Sequence, residues 1–92
     1  MRYIVTYTIY DYDNGLYTEA VSYDNEADAE NRFNEYIAND VLSSFDGTAE
    51  EFDKERDRLL QCVTAHPSDR NSKVLNVEID DSTYCVCLIR QS

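Results

Sequence analysis

The run from Thr83 to Arg90 constrains this chain's fold more than any other. Tyr84, Cys85, Val86, Cys87, Leu88 and Ile89 are apolar at consecutive positions, so both sides of an extended segment here avoid water. A strand of that kind belongs inside a sheet, with a neighbour along each edge. Arg2 to Tyr10 is the other two-sided segment. Tyr3, Val5, Tyr7 and Ile9 lie on one side and Ile4, Thr6, Thr8 and Tyr10 on the other, nearly all β-branched or aromatic. Pairing these two segments puts the chain's first and last strands at the centre of one sheet.

The remaining elements arrange themselves around that pair. Asp13-Asn14-Gly15 supplies a tight turn, because Asn-Gly tolerates positive φ, and Leu16 to Tyr23 returns as a second strand. Two- and three-residue loops around Asn14-Gly15 pair different side chains, so the register stays open. Asp24 or Asn25 caps a helix running to about Val41, with Ala29, Phe33, Tyr36, Ile37 and Val41 on one stripe. Asp28, Glu30, Asn31, Asn34 and Glu35 face away. Ser43 to Gly47 breaks that helix. Thr48-Ala49-Glu50-Glu51 is a capping box, which predicts a second helix to about Thr64, closed by His66-Pro67. Its core stripe is Phe52, Leu59, Val63 and Cys62. Lys73 to Ile79, with Leu75, Val77 and Ile79 inward, joins the last strand through a hairpin around Asp80-Asp81-Ser82. The expectation is an α+β domain over residues 1–92: a four-stranded antiparallel sheet, ββααββ in order 2-1-4-3, with two helices on one face.

Composition supports a single globular unit. At 92 residues one core is the norm, 42% apolar content is enough to build it, and two Gly and one Pro leave little room for linkers. The N-terminal residues alternate without a continuous apolar stretch, which argues against an ordinary signal peptide, and no later run is long enough to span a bilayer. Three cysteines, two of them only two residues apart on a strand, point to a reducing cytoplasm and not to a disulfide framework.

Charge is the least evenly distributed property. From Asp11 to Asp53 there are thirteen carboxylates and a single cation, Arg32, for a formal −12; the rest of the chain sums to +1. Such a field repels nucleic acid and attracts basic surfaces. Asp46 leads into the second helix and Glu50, Asp53 and Asp57 follow at spacings of four, three and four; Asp24, Asp28 and Glu35 repeat the pattern on the first helix, where Glu30 is a further candidate. Residues three or four apart on a helix stand roughly 5–6 Å from one another, comparable to neighbouring phosphates. A basic nucleic-acid groove could therefore accept them as a counterfeit backbone, with steep salt dependence. Acids near helix starts also serve the macrodipole, and charged helix faces are commonly plain solvated surface.

Six of the eight tyrosines (Tyr3, Tyr7, Tyr10, Tyr12, Tyr17 and Tyr23) occupy the first hairpin. Helices cover only one side of the sheet, so some of these rings should be exposed. Tyr10, Tyr12 and Tyr17 are the candidate anchors, since tyrosine is enriched at binding hot spots. Strand propensity and cross-strand stacking are the plainer use of the same residues. Cys62, His66, Cys85 and Cys87 are soft ligands for a metal-binding alternative, but they lack the usual knuckle spacing, so no cofactor is expected. One His, no phosphate loop and no nucleophile beside a base leave catalysis without support.

In length, acidity, tyrosine-rich opening and motif-free α+β layout, the chain resembles the small phage-encoded inhibitors of bacterial defence, the anti-CRISPR and anti-restriction proteins, several of which imitate DNA. The resemblance implies a non-enzymatic inhibitor in the bacterial host cytoplasm that occupies a basic nucleic-acid groove on a CRISPR effector complex or nuclease. It implies neither direct nucleic-acid binding nor a membrane. The alternatives are an acidic interaction module of immunity or antitoxin type, a small metal-binding regulator, and a homodimer paired edge-to-edge through an exposed strand.

Overall fold

The computed structural model describes residues 2–66 and 69–91. Five antiparallel strands form one sheet: β1 (Arg2–Asp11), β2 (Gly15–Tyr23), β3 (Thr64–His66), β4 (Asp69–Ile79) and β5 (Ser82–Gln91), in the order β2-β1-β5-β4-β3. The helices α1 (Glu26–Glu35) and α2 (Ala49–Gln61) lie between β2 and β3 in sequence. The two strands that are apolar on both sides, β1 and β5, pair in the interior of the sheet, from Arg2 opposite Gln91 to Asp11 opposite Ser82.

The expected four-stranded sheet therefore needs a correction. The helix does not reach Thr64; it stops at Gln61, where the Cys62 and Val63 amides donate to the Leu59 and Leu60 carbonyls at 3.0 and 3.3 Å and tighten the last turn. The chain then extends, and Thr64–His66 joins β4 as a short edge strand with a register shift between Ala65 and His66. Three residues show no periodicity, so nothing in the pattern distinguishes them from a helix end. Cys62 is consequently exposed instead of belonging to the core stripe. Leu59 is fully buried, and Phe52 and Val63 pack against the core half-buried. Pro67 lies outside the described residues.

The core lies between the helices and one face of the sheet. Tyr3, Val5 and Tyr7 from β1, Leu75 from β4, and Tyr84, Val86 and Leu88 from β5 meet Ala29 and Phe33 of α1. Asn25 caps α1, its side-chain oxygen accepting from the Asp28 amide at 2.9 Å. The helix continues as a π-helical turn, Tyr36–Val41, and the Leu42 amide donates to the Ile37 carbonyl at 3.1 Å, five residues back. The wider turn stacks residues five apart, which brings Leu42 into the core beside Tyr36, Ile37 and Val41. The capping box of α2 forms in both directions: the Glu51 amide donates to Thr48 Oγ1 at 3.1 Å, and the Thr48 amide donates to the Glu51 carboxylate at 3.2 Å. Between the helices, Phe45 stands edge-on to Phe52 with centroids 5.8 Å apart. A Cβ at Gly47 would lie 3.0 Å from the Phe45 ring, so glycine permits that closure.

The first hairpin resolves to a three-residue loop. Asp11 pairs with Gly15, and Gly15 takes φ +85, which a side chain would resist. Tyr10 thereby stands opposite Leu16 and Tyr7 opposite Glu19.

These packing roles separate two neighbouring positions. Leu59→Ala should cost about 2–5 kcal/mol in urea denaturation, whereas Cys62→Ala should stay within about 0.5 kcal/mol.

Candidate partner-binding surface

Both hairpin turns lie at the same end of the sheet. Asp11 pairs with Gly15 on one side and Ser82 on the other, and the Tyr12 amide donates to the Asp81 carbonyl at 3.3 Å, joining the two turns. Four large apolar side chains are exposed there: Tyr12 at 81%, Leu16 at 70%, Tyr17 at 54% and Tyr10 at 51%. Tyr10 and Leu16 form a cross-strand pair on the sheet face away from the helices. Tyr17 lies on the other side, and its hydroxyl donates to Glu19 at 2.8 Å, which fixes the ring. The remaining hairpin tyrosines turn inward: Tyr3 and Tyr7 are buried and Tyr23 is half-buried.

Carboxylates surround this cluster. Asp11 and Asp13 flank Tyr12, and Glu78, Asp80 and Asp81 sit at the adjacent turn. Among the described residues none of these five is within ion-pair distance of a cation. Asp11 accepts from the Asp13 amide at 2.8 Å and from Asn14 Nδ2 at 3.1 Å, bonds that hold its carboxyl below the ordinary range and keep it ionised. Asp80 takes φ +54, a conformation that Asp and Asn enter more readily than most residues. Arg2 and Arg90 are at the opposite end of the sheet, where Arg2 pairs with Gln91 and Tyr3 with Arg90. At about 3.4 Å per residue that separation approaches 30 Å.

The helical acids have different surroundings. On α2, Glu50 lies 3.9 Å from Lys54, Arg56 lies 3.4 Å from Asp53 and 3.7 Å from Asp57, and Arg58 pairs with Glu55. On α1, Glu35 lies 3.2 Å from Arg32, and Glu30 is joined to Lys73 of β4 at 2.5 Å, with that ammonium also 4.7 Å from the Phe33 ring centre. Asp24, Asp28 and Asp46 are exposed, and Asp28 accepts from Asn25 Nδ2 at 2.7 Å. Of the acids read from the sequence, Glu30, Glu35, Glu50, Asp53 and Asp57 each stand beside a cation. Tyr10, Tyr12 and Tyr17 lie at the same end of the sheet, with Tyr10 and Tyr17 on opposite faces. Leu16, Asp11, Asp13, Asp80 and Asp81 complete the surface, and sequence reasoning missed them as a group. The available signal was the double turn, since two strands paired antiparallel must bring their distal hairpins to one end.

A polar network underlies the same hairpin. Glu19 accepts from the Tyr36 hydroxyl at 2.7 Å and from Tyr17, with Arg32 at 3.5 Å; Arg32 also lies 4.7 Å from the Tyr36 ring centre, and Tyr7 stacks on Tyr36 at 5.1 Å. The hydroxyls of Tyr36 and Tyr17 hold the Glu19 carboxyl below its usual range. Burial and the bond to Glu19 push Tyr36 up to about 12, and burial, with Asp40 nearby, pushes Tyr7 up to about 12. Both phenols remain neutral, and Tyr36 donates to Glu19. Asp40 moves the other way from Glu19, raised by burial and by Glu19 itself.

The cysteines do not gather. Cys62 is exposed at the end of α2, while the Cys85 and Cys87 sulfurs lie 3.7 Å apart on the open face of β5. Burial and then Cys87 raise the Cys85 thiol to about 11. Among the described residues no group of three His, Cys, Asp or Glu side chains could hold a metal ion, and no helix is long and apolar enough to cross a membrane. A cleft of about 420 Å³ lies near the acidic end, between the loop after Val41 and the end of β4; its lining includes Phe45, Asp46, Ile79 and Arg58, the last held by Glu55.

Compared with protein-family models, curated proteins and solved structures, the chain matches none.

The network sets a pH dependence with two signs. A carboxylate whose folded pKa is depressed contributes stability above its ordinary value and loses it as acid protonates it. Glu19→Gln should therefore lower the thermal midpoint at about pH 7, with the gap to wild type closing as pH falls below the ordinary 4.5. Asp40, raised, opposes folding when ionised. Asp40→Asn should raise the midpoint at neutral pH, and its advantage should also vanish in acid. Thermal melts by circular dichroism across that range check both directions.

Proposed function

We propose that this protein is a non-enzymatic inhibitor that docks on the basic, nucleic-acid-binding surface of another protein, as an anti-CRISPR or related DNA-mimic anti-defence protein acting in the bacterial cytoplasm. One observation carries the reading. The chain's most exposed large apolar side chains cluster at one end of the sheet, rimmed by carboxylates that have no ion-pair partner among the described residues.

The physical roles divide in a simple way. Aromatic anchors that lose little rotamer entropy supply contact energy when water is excluded around them. Tyr17, already tied to Glu19, is such an anchor. Unpaired carboxylates around the anchors steer a cationic partner and raise its rate of approach, and their contribution falls with salt. Aromatic rings beside acids also share the chemistry of bases beside phosphates. In this form the mimicry belongs to the hairpin end and not to a ladder along α2, whose acids stand beside Lys54, Arg56 and Arg58. An acidic module that binds a basic protein other than a nuclease would use the same surface, and what is captured distinguishes the two.

The test is affinity capture from bacterial lysate with wild type, Tyr12→Ala, the pair Asp80→Asn and Asp81→Asn, and an α2 control pair Glu50→Gln and Asp53→Asn. Wild type should recover a nucleic-acid-binding assembly, with capture falling at least about tenfold when salt rises from about 0.05 to about 0.2 M. Both hairpin-end variants should lose it, and the α2 pair should keep it. Capture that is indifferent to salt, or that the hairpin-end variants retain, contradicts the proposal.

A further inference from the structure

The two edges of the sheet are treated differently. At one, β3 has only three residues and a register shift, features that discourage another strand from pairing there. At the other, β2 runs for nine residues, Gly15–Tyr23, in continuous register with β1, and among the described residues no strand pairs with its outer edge. Proteins commonly protect such an edge with lysine, proline or a bulge. β2 contains neither lysine nor proline and has no break in register; its single charge is Glu19.

The surroundings of that edge specify what would pair with it. On the helix side the strand's one carboxylate, Glu19, accepts from Tyr17 and Tyr36 and lies 3.5 Å from Arg32, which Glu35 shares, and the exposed Asp24 and Glu26 follow the strand. On the open side β2 presents Leu16, Thr18 and Ala20, which are exposed and uncharged. A second copy of the chain would bring another net charge of −11 to the same edge, so a cationic strand fits better than self-pairing.

Resting on the docking role proposed above, we infer that the β2 edge accepts an extended segment of the partner protein as a sixth strand. The segment carries Lys or Arg at alternate positions, facing Glu19, and small or β-branched uncharged residues at the intervening ones, facing Leu16, Thr18 and Ala20. Main-chain hydrogen bonds supply affinity, and the alternating side chains supply selectivity.

The test uses the intact protein, isotope-labelled for NMR, and a synthetic peptide of alternating Lys and Thr as long as β2. Amide shifts should concentrate on residues 16–23. Methylating alternate peptide nitrogens keeps every charge but removes donors to the edge, and should weaken binding by about tenfold or more. Replacing Lys by Glu should abolish binding, and Ala20→Lys in the protein should weaken it. The inference is overturned if the methylated peptide binds equally well, if the shifts fall on α1 or α2, or if light scattering finds a dimer with β2 amides already protected from exchange. Tyr12→Ala lies outside the edge and should leave peptide affinity unchanged. Lysate capture that depends on Tyr12 while no peptide binds would therefore overturn only the sixth strand. Peptide pairing at β2 without any Tyr12-dependent capture would overturn the docking surface instead.

Discussion

Helices α1 and α2, ten and thirteen residues long, have apolar stripes wide enough to cover one face of a five-stranded sheet and no more. Most other features follow from this shortage. The covered face takes Val5, Leu75, Val86 and Leu88, all essentially without exposure, and builds the core with Phe33, Ile37 and Leu59. The open face must be tolerable in water without helices. Its centre is furnished with Thr6, Thr8, Cys85 and Cys87, side chains small enough to shield one another between neighbouring strands. In a chain with 29% charged residues, those central positions carry no charge.

Strong local chemistry made much of this layout legible in the sequence. The uninterrupted apolar run from Tyr84 to Ile89 and its counterpart at Tyr3 to Ile9 placed β5 and β1 side by side in the interior. The Asp24–Asn25 pair and the Thr48–Glu51 box marked helix starts, and the structure resolves the first of them to Asn25. Other features depended on tertiary context. Thr64–His66 becomes a strand because β4 is beside it, and three residues cannot signal that by themselves. The hairpin loop length rested on Gly15 taking positive φ at the closing pair, a choice that two loop geometries left open. The π-helical turn needed Leu42 in the core, which no regular spacing predicts.

Electrostatics show the same division between local and tertiary information. Counting charges along the chain suggests an anionic segment with a single cation, yet folding brings Lys73 to Glu30 across forty-three positions, and α2 supplies Arg56 and Arg58 three residues from Asp53 and Glu55 and Lys54 four residues from Glu50. Exposed pairs of this kind contribute little to stability, but they flatten the local field. Among the described residues, the carboxylates without an ion-pair partner include Asp24, Glu26, Asp28, Asp46 and Glu51 near the helix starts, as well as those of the two turns at one end of the sheet, where Asp11, Asp13, Asp80 and Asp81 lie around Tyr12. The tyrosines named from the sequence as anchors are exposed there. Their acidic neighbours include two from the far end of the chain, which is why a linear reading located the rings and not the rim.

The central claim is that partners meet the hairpin end and not the helices. Hydrogen–deuterium exchange of the captured complex, compared with the free protein, tests it most directly. The account predicts new protection at residues 10–17 and 79–83, with the outer face of α2 unchanged. Protection concentrated on Glu50 to Asp57, with both turns exchanging as freely as before, would contradict it.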